Sequence, residues 1–339
     1  MAYDSQSDDT EAAVNIDELR DGSDGTVARL KRRVGITEDQ SNLMGFLFVA
    51  PNIAVFSIFL LGPVLYAFYL AFMEYSILTH ESAYVGLENF YAVMQPYPWE
   101  NGFEALRDPT TNTWWFSLRN TFVYAIGTVP LQILGGLAVA LMLDKRVRAK
   151  KAYRAAYFMP VMLSGAAAAV IWRWLLADTG IINEFLRPLG LAHNWAGDPS
   201  TALGAIMLMA VWGGIGFNMI LFLAGLQNIP QELYDAARID GSNRWQRFRH
   251  VTWANLGNTN FFVIVMAIIG AFQVFGIALV FEEGGPFYAT TTAVLLIYQR
   301  AFEENYFGEG AAMAMFLFVI IFAFSYWQYR YRKSEEVDY

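Results

Sequence analysis

At 339 residues the chain has room for two soluble domains. Its composition excludes an ordinary soluble protein: 56% of residues are apolar, 16% aromatic and only 16% charged, against about a quarter charged in soluble domains. The absence of cysteine excludes disulfides, thiolate metal sites and cysteine nucleophiles, and a formal charge of −8 with no basic stripe gives nucleic acid nothing to bind.

The chain opens on a polar segment, 1–41, with ten acidic residues between Asp4 and Asp39. A secretory signal needs a basic start and a short apolar run. This segment has neither, and reads as a disordered acidic cytoplasmic tail. Six stretches then have the length and apolarity to cross a bilayer, which takes about 20 residues because a helix in lipid must satisfy its own backbone. They are Met44 to Met73, Thr121 to Leu143, Tyr157 to Leu176, Leu203 to Leu226, Phe261 to Phe281 and Ala311 to Trp327. The expected fold is therefore an all-α, polytopic membrane protein of six transmembrane helices. The spanning domain occupies 42–330, and a short cytoplasmic tail 331–339.

Lys and Arg collect on the cytoplasmic side of membrane proteins. Arg29 to Arg33 precede span one, and Lys145 to Arg154 separate spans two and three. Arg238 to Arg249 separate spans four and five, and Arg330 to Lys333 follow span six. With Arg20 these groups hold 18 of the 23 basic residues, all on one side, which puts both termini in the cytoplasm. Trp114, Trp115 and Phe116 ahead of span two, Trp172 and Trp174 in span three, and Tyr326, Trp327 and Tyr329 at span six suit interfacial belts or plain packing.

The segment 228–254 lies between spans four and five, on the basic side. Asn228 and Gln231 have the spacing of a capping box, and Pro230 suits a first turn. Glu232 and Asp235 complement the positive end of a helix, with Leu233, Ala236 and Ala237 at helical spacing. Gly241 ends that helix. A second one follows, with Trp245, Phe248 and Thr252 on one stripe. On periodicity alone, two short helices joined by a glycine describe an amphipathic element lying on the membrane surface.

This segment resembles the EAA loop of ABC-importer permeases. Asp235-Ala236-Ala237 stand for Glu-Ala-Ala, Gly241 for the glycine and Val251 for the isoleucine, while Trp253-Ala254 replace the closing Leu-Pro. Phe272-Gln273-Val274-Phe275, Gly284-Gly285-Pro286, Thr290-Thr291-Thr292 and Ile297-Tyr298 are similar to the carbohydrate-type branch, the maltose-type and glycerol-phosphate-type permeases.

The resemblance implies the type I ABC-importer permease fold and import of a sugar or related polyol. It implies a second homologous permease subunit, two cytoplasmic ATPase subunits and an extracytoplasmic solute-binding protein as partners. Glu232, Asp235, Ala236, Ala237, Asp240 and Gly241 would couple to the ATPase. The chain would be non-catalytic and bind no cofactor, with ATP and Mg used by the partner. No Gly-x-x-x-x-Gly-Lys phosphate loop is present, and His80, His193 and His250 are scattered.

Polar residues inside spans tend to face a cavity. Asn218 and Gln273 are the first candidates for the substrate path, with Phe272, Phe275 and Tyr298 as stacking surfaces and Gln132 and Asn52 behind them; interhelical bonding and packing are the competing explanation, and the stronger one for the aromatics. The alternative function is a stand-alone secondary transporter. Such proteins carry carboxylates within the membrane or paired repeats, and no Asp or Glu falls in the six stretches. A membrane enzyme would need a cluster of acid, base or metal ligands, and none stands out.

Overall fold

The computed structural model describes residues 38–75, 82–100, 103–145, 148–282 and 284–336. Of the acidic segment 1–41, residues 1–37 lie outside them. The chain divides into two units, Met1–Tyr66 and Ala67–Tyr339. The first contains helix α1 (Glu38–Phe56), a π-helical turn at Ser57–Leu61 and the start of α2 (Gly62–Leu70). The cause of the π turn is local: Pro63 has no N–H to return to Phe59, so the wider ring closes instead, from Gly62 N–H to Ser57 O. Phe46, Phe48 and Phe59 are exposed along this helix, as a lipid-facing span requires.

The second unit begins with a hairpin absent from the sequence reading. Strands β1 (Met73–Tyr75) and β2 (Ser82–Tyr84) pair antiparallel, with Glu74 opposite Ala83. Met73 thus belongs to a strand, and the first span ends at Leu70. Helix α3 (Glu88–Met94) follows, and Asn89 fastens the hairpin to it by donating to the Ala71 and Met73 carbonyls.

The second span, α4 (Thr113–Asp144), is 32 residues long, about 48 Å. It starts eight residues before the predicted boundary, so Trp114, Trp115 and Phe116 form its first turn. Asn112 caps it by accepting from Trp115 N–H and holds the preceding loop through the Val93 and Gln95 carbonyls.

The third span is not one rod. Helix α5 (Lys150–Met162) stops at an extended Leu163, and α6 (Gly165–Leu176) restarts under a Ser164 cap that accepts from Ala167 N–H. Pro160 weakens the end of α5 by removing a donor, and Ser164-Gly165 supplies a fresh start. Helix α7 (Ile181–Leu186) then leads into a loop organised by buried Asn183, which donates to the Ala177 and His193 carbonyls and accepts from His193 N–H and the Trp195 indole. The fourth span is α8 (Ala202–Gln227).

Helices α9 (Gln231–Ile239) and α10 (Arg244–Arg247) form the segment between spans four and five. The fifth span is also interrupted. Helix α11 (Gly257–Phe272) ends where a single rod to Phe281 was expected, and α12 (Gly276–Glu282) starts afresh. The reason lies across the fold: the Thr292 hydroxyl donates to the Val274 carbonyl, satisfying a buried acceptor that helix continuation would otherwise claim. Helix α13 (Ala293–Tyr298), a π turn at Gln299–Glu303 and α14 (Phe307–Glu336), the sixth span, complete the chain.

Two apolar cores stack along this bundle. One gathers Trp114, Leu118, Ile206, Met209, Phe272, Phe281 and Leu295. The other gathers Leu137, Leu143, Met219, Phe222, Leu226, Leu256 and Val263, at the end that carries α9 and α10. Small residues let α4, α5 and α8 approach closely, as helices in lipid require. A Cβ on Gly136 would meet Asn218 Cβ at 2.6 Å, and one on Gly216 would strike the Tyr157 carbonyl.

The Gly-Gly-Pro and Thr-Thr-Thr motif is a buried scaffold. Asn120 of α4 donates its Nδ2 to the Tyr288, Ala289 and Thr291 carbonyls. Thr121 Oγ1 accepts from Ala293 N–H, while Thr290 and Thr291 donate to the Gly285 and Gly284 carbonyls. Asn120→Leu keeps the branched shape and strands these acceptors, so we expect a loss of about 2–3 kcal/mol, measured as a lower thermal midpoint of the detergent-solubilised protein.

Candidate functional site

Two features stand out, a surface element and a cleft. The surface element is the helix pair. Asn228 does not cap it: its N–H still bonds to the Gly225 and Leu226 carbonyls, so it closes α8, and Pro230 opens α9 with no side-chain cap. The capping box lies one helix later. Asn243 Oδ1 accepts from Gln246 N–H at 2.9 Å, and Gln246 Oε1 accepts from Asn243 N–H at 2.8 Å. The same Asn-x-x-Gln spacing was legible there.

Gly241 sits at φ +75°, in the left-handed region. It completes a Schellman turn in which Gly241 N–H bonds to Arg238 O and Ser242 N–H to Ala237 O. Ser242 O in turn accepts from Arg247 at 2.6 Å. The Tyr234 and Thr252 hydroxyls meet at 3.0 Å and tie α9 to the π-helical turn Phe248–Trp253 that continues α10. The Trp245 and Phe248 rings stack at 5.5 Å.

This pair is rooted in the bundle. Ile229, Phe248 and Leu256 pack into the second core, with Leu256 fully buried. The exit, where Trp253-Ala254 replace Leu-Pro, is an elbow: Arg244–Trp253 and Gly257–Phe272 meet at 74°. Asn255 Nδ2 donates to the Val251 carbonyl at 2.7 Å and holds the bend without a proline.

The outer face is bare. Glu232, Asp235, Ala236 and Asp240 are exposed, Ala237 is half-buried, and Ile239 and Trp245 expose 87% and 67% of their surface. Asp235 pairs with Arg238 at 2.7 Å on that face. Exposed apolar side chains of this size among charges are the pattern of a protein interface.

The cleft, of about 330 Å³, opens between α4, α5, α6, α8 and α11. Its polar groups are Tyr124, Gln132, Trp212 and Asn218, set among Phe217, Met266 and glycines 213, 214 and 270. Gln132 donates to the Ala210 carbonyl at 3.1 Å and lies across Gly214, where a Cβ would displace it.

Of the residues predicted for a substrate path, Asn218 lines this cleft, and so does Gln132 from the weaker set. Phe272, Gln273 and Tyr298 do not. Phe272 is buried against Phe122 and Phe324, Gln273 is exposed at the break in span five, and Tyr298 packs on Phe275 and Phe302. Tyr124 and Trp212 were missed because an aromatic in a span reads as packing.

Residues 111–334 match the family "Binding-protein-dependent transport system inner membrane component". The chain belongs to this family. It is similar to a probable ABC transporter permease protein, YesP, of Bacillus subtilis (strain 168), with 34% identity across 84% of this chain and 87% of that one. The arabinooligosaccharides transport system permease protein AraP of the same organism is 33% identical across 79% of this permease and 82% of its own length. Among solved structures, a bacterial ABC transporter involved in import of the acidic polysaccharide alginate matches with a TM-score of 0.72 and 19% identity, over 90% of this permease and 99% of that chain. It shows the same fold. The permease is thus a multi-pass inner-membrane transport component; among the described residues five helices are long and apolar enough to cross a membrane, or six when the bent pair at residues 244–272 counts as one span.

Proposed function

We propose that this permease imports a sugar or related polyol, paired with a second homologous permease, fed by an extracytoplasmic binding protein and driven by two ATPase subunits that grip α9 and α10. The observation that carries the reading is the bare, rigid helix pair between spans four and five, rooted in the second core by Leu256. A surface element with a fixed turn and a buried root transmits a push from a partner into the spans.

The positive-inside bias supports a cytoplasmic position for this pair and for both termini. ATP and Mg are used by the partner, and this chain hydrolyses nothing. Glu232 and Asp240 present charge at the two ends of α9. Ile239 and Trp245 present apolar surface, and the alanines leave room for another backbone.

The sugar reading rests on the similarity to an arabinooligosaccharide permease and on the chemistry of the cleft. Its volume lies at the small end of ligand sites, and its amide, phenol and indole groups suit hydroxyl-rich solutes.

Two measurements test the reading. Asp235→Lys breaks the Arg238 pair and reverses a charge on the outer face. It should abolish copurification of the ATPase, and unchanged copurification would remove the coupling role. Gln132→Ala with Asn218→Ala, in proteoliposomes offered arabinotriose, maltotriose and lactose, should weaken apparent uptake affinity by about tenfold. Kinetics identical to wild type would move the substrate path elsewhere.

A further inference from the structure

Between spans one and two the chain builds a small platform at the end of the bundle opposite α9 and α10. Helix α4 fixes its place: Asn112 caps the helix where the platform ends, and at the other end of the same helix Leu143 enters the second core. In the orientation proposed above the platform faces the outside. None of its exposed side chains lines the inner cleft of Gln132 and Asn218.

Its inner side is firmly held. Phe90 of α3 meets Phe72 and Phe316, Val93 and Ala105 are buried, and the Trp115 indole donates to the Met94 carbonyl at 2.7 Å. Beyond α3 the backbone is tied to itself: Tyr97 N–H donates to the Glu100 carboxylate at 2.9 Å, and Phe103 N–H to the Pro98 carbonyl at 2.6 Å.

Its outer side carries apolar surface that no other part of the chain covers. Leu87 and Tyr91 lie one turn apart on α3, and both are exposed. The Tyr84 ring passes 4.0 Å from where a Cβ on Gly86 would stand, and it exposes 76% of its surface. Trp99 stacks flat on Tyr97 at 4.8 Å and still exposes 67%; Phe103 is exposed beyond it. Among these rings stand Glu88, Glu100, Glu104 and Asp108, all exposed, against Arg107 alone. Charge at this density does not face hydrocarbon, where it is costly. Large aromatic side chains set among charges are the anatomy of a protein interface.

We propose that this platform docks the extracytoplasmic solute-binding protein, through a partner surface that is basic around an apolar centre. The family is binding-protein-dependent, and the inference rests on the import reading above. Tyr91 and Trp99 are the anchors: each offers a large amphipathic ring with few rotatable bonds, so little entropy is lost on contact. The four carboxylates outweigh Arg107, so they draw a basic face in and set its orientation. The tied backbone beneath spares the contact the cost of ordering a loop.

The test uses the complete complex in phosphatidylcholine nanodiscs and the solute-binding protein that stimulates its ATP hydrolysis, with association followed by biolayer interferometry. Trp99→Ala removes an anchor, leaves the buried side of the platform intact and should raise Kd by about tenfold or more. Glu104→Lys should slow association several-fold at about 20 mM salt and hardly at all at about 0.5 M. Arg107→Glu should speed association under the same low-salt condition, a response of opposite sign that a merely structural role does not produce. Basal ATP hydrolysis without the binding protein should match wild type in all three variants. Unchanged Kd in Trp99→Ala, with association in both charge variants equal to wild type at low salt, overturns the docking surface. So does a lower membrane yield of Trp99→Ala with unaltered docking, which would assign the aromatics to the lipid interface. Equal stimulation of wild type and variants at limiting binding protein sinks the surface alone. If no binding protein stimulates the wild-type complex, the import reading fails and the surface with it.

Discussion

Replacing Gly241 with valine should leave a permease that inserts, folds and fails to transport. The space around Gly241 is open, with no atom within 4 Å of a built Cβ, so the defect is purely conformational. At φ +75° a β-branched side chain collides with its own backbone. The strain is about 2 kcal/mol, more than a tenfold bias against the turn that joins α9 to α10. The chain would relieve it by giving up the Schellman bonds at Arg238 and Ala237. That frees α10 to move relative to α9. Spans four and five are built elsewhere and stay intact. The prediction is normal membrane yield and thermal midpoint, with ATP-dependent uptake in proteoliposomes reduced more than tenfold. Gly241→Asn, whose side chain tolerates the left-handed region, should restore most of it. Full transport by the valine variant would remove the turn from the mechanism.

The second large effect is expected at Gly216. A side chain there has no room on the α5 side: its Cβ would run into the Tyr157 carbonyl and lie 3.2 Å from Val161 Cγ2. A backbone carbonyl cannot swing aside as a flexible side chain does. Gly216→Val must therefore push α5 away from α8, at a cost of about 3 kcal/mol or more. Val161 and Phe217, which line the inner cleft, move with them. Size-exclusion chromatography in mild detergent should show aggregation or loss of partner subunits. Gly204 lies on the same helix with nothing within 4 Å, and Gly204→Ala should behave as wild type. A monodisperse, fully assembled Gly216→Val protein would show that α5 and α8 are not held together as described.

Six apolar stretches and a one-sided distribution of Lys and Arg were enough to read the class of the molecule. Length and polarity are what a bilayer demands of a chain, so sequence carries them openly. The interruptions were not legible in the same way. Nothing local in Phe272-Gln273-Val274-Phe275 stops a helix; Thr292, 18 residues further on, does so by donating to the Val274 carbonyl. The break at Leu163 was closer to the surface of the sequence, since Pro160 and Ser164-Gly165 mark it. At the helix pair, Gly241 was readable because its role is a backbone angle. The capping box was assigned to Asn228 instead of Asn243 because both have a glutamine three residues on, and only the continuation of α8 through Gln227 separates them. In the cleft, Asn218 and Gln132 were visible as polar residues in apolar runs. Gln273 looked the same and faces outward at a helix end, because one substitution pattern serves both situations.

The interruption at Gln273 has a mechanical meaning when set beside the elbow at Leu256. Helix α11 is jointed at both ends: one joint is braced by Asn255 and buried Leu256, the other by Thr292. Between them runs a stiff rod of 16 residues, four of which, Met266, Ala267, Gly270 and Ala271, form part of the inner cleft wall. A rod jointed in this way can tilt without uncoiling. No backbone amide within it must give up its partner in the lipid, where replacing that partner is most costly. Under the coupling proposed above, a displacement applied at α9 and α10 would reach the cleft wall as rotation about two pre-formed joints, and the energy of the stroke would not be consumed in breaking helical hydrogen bonds.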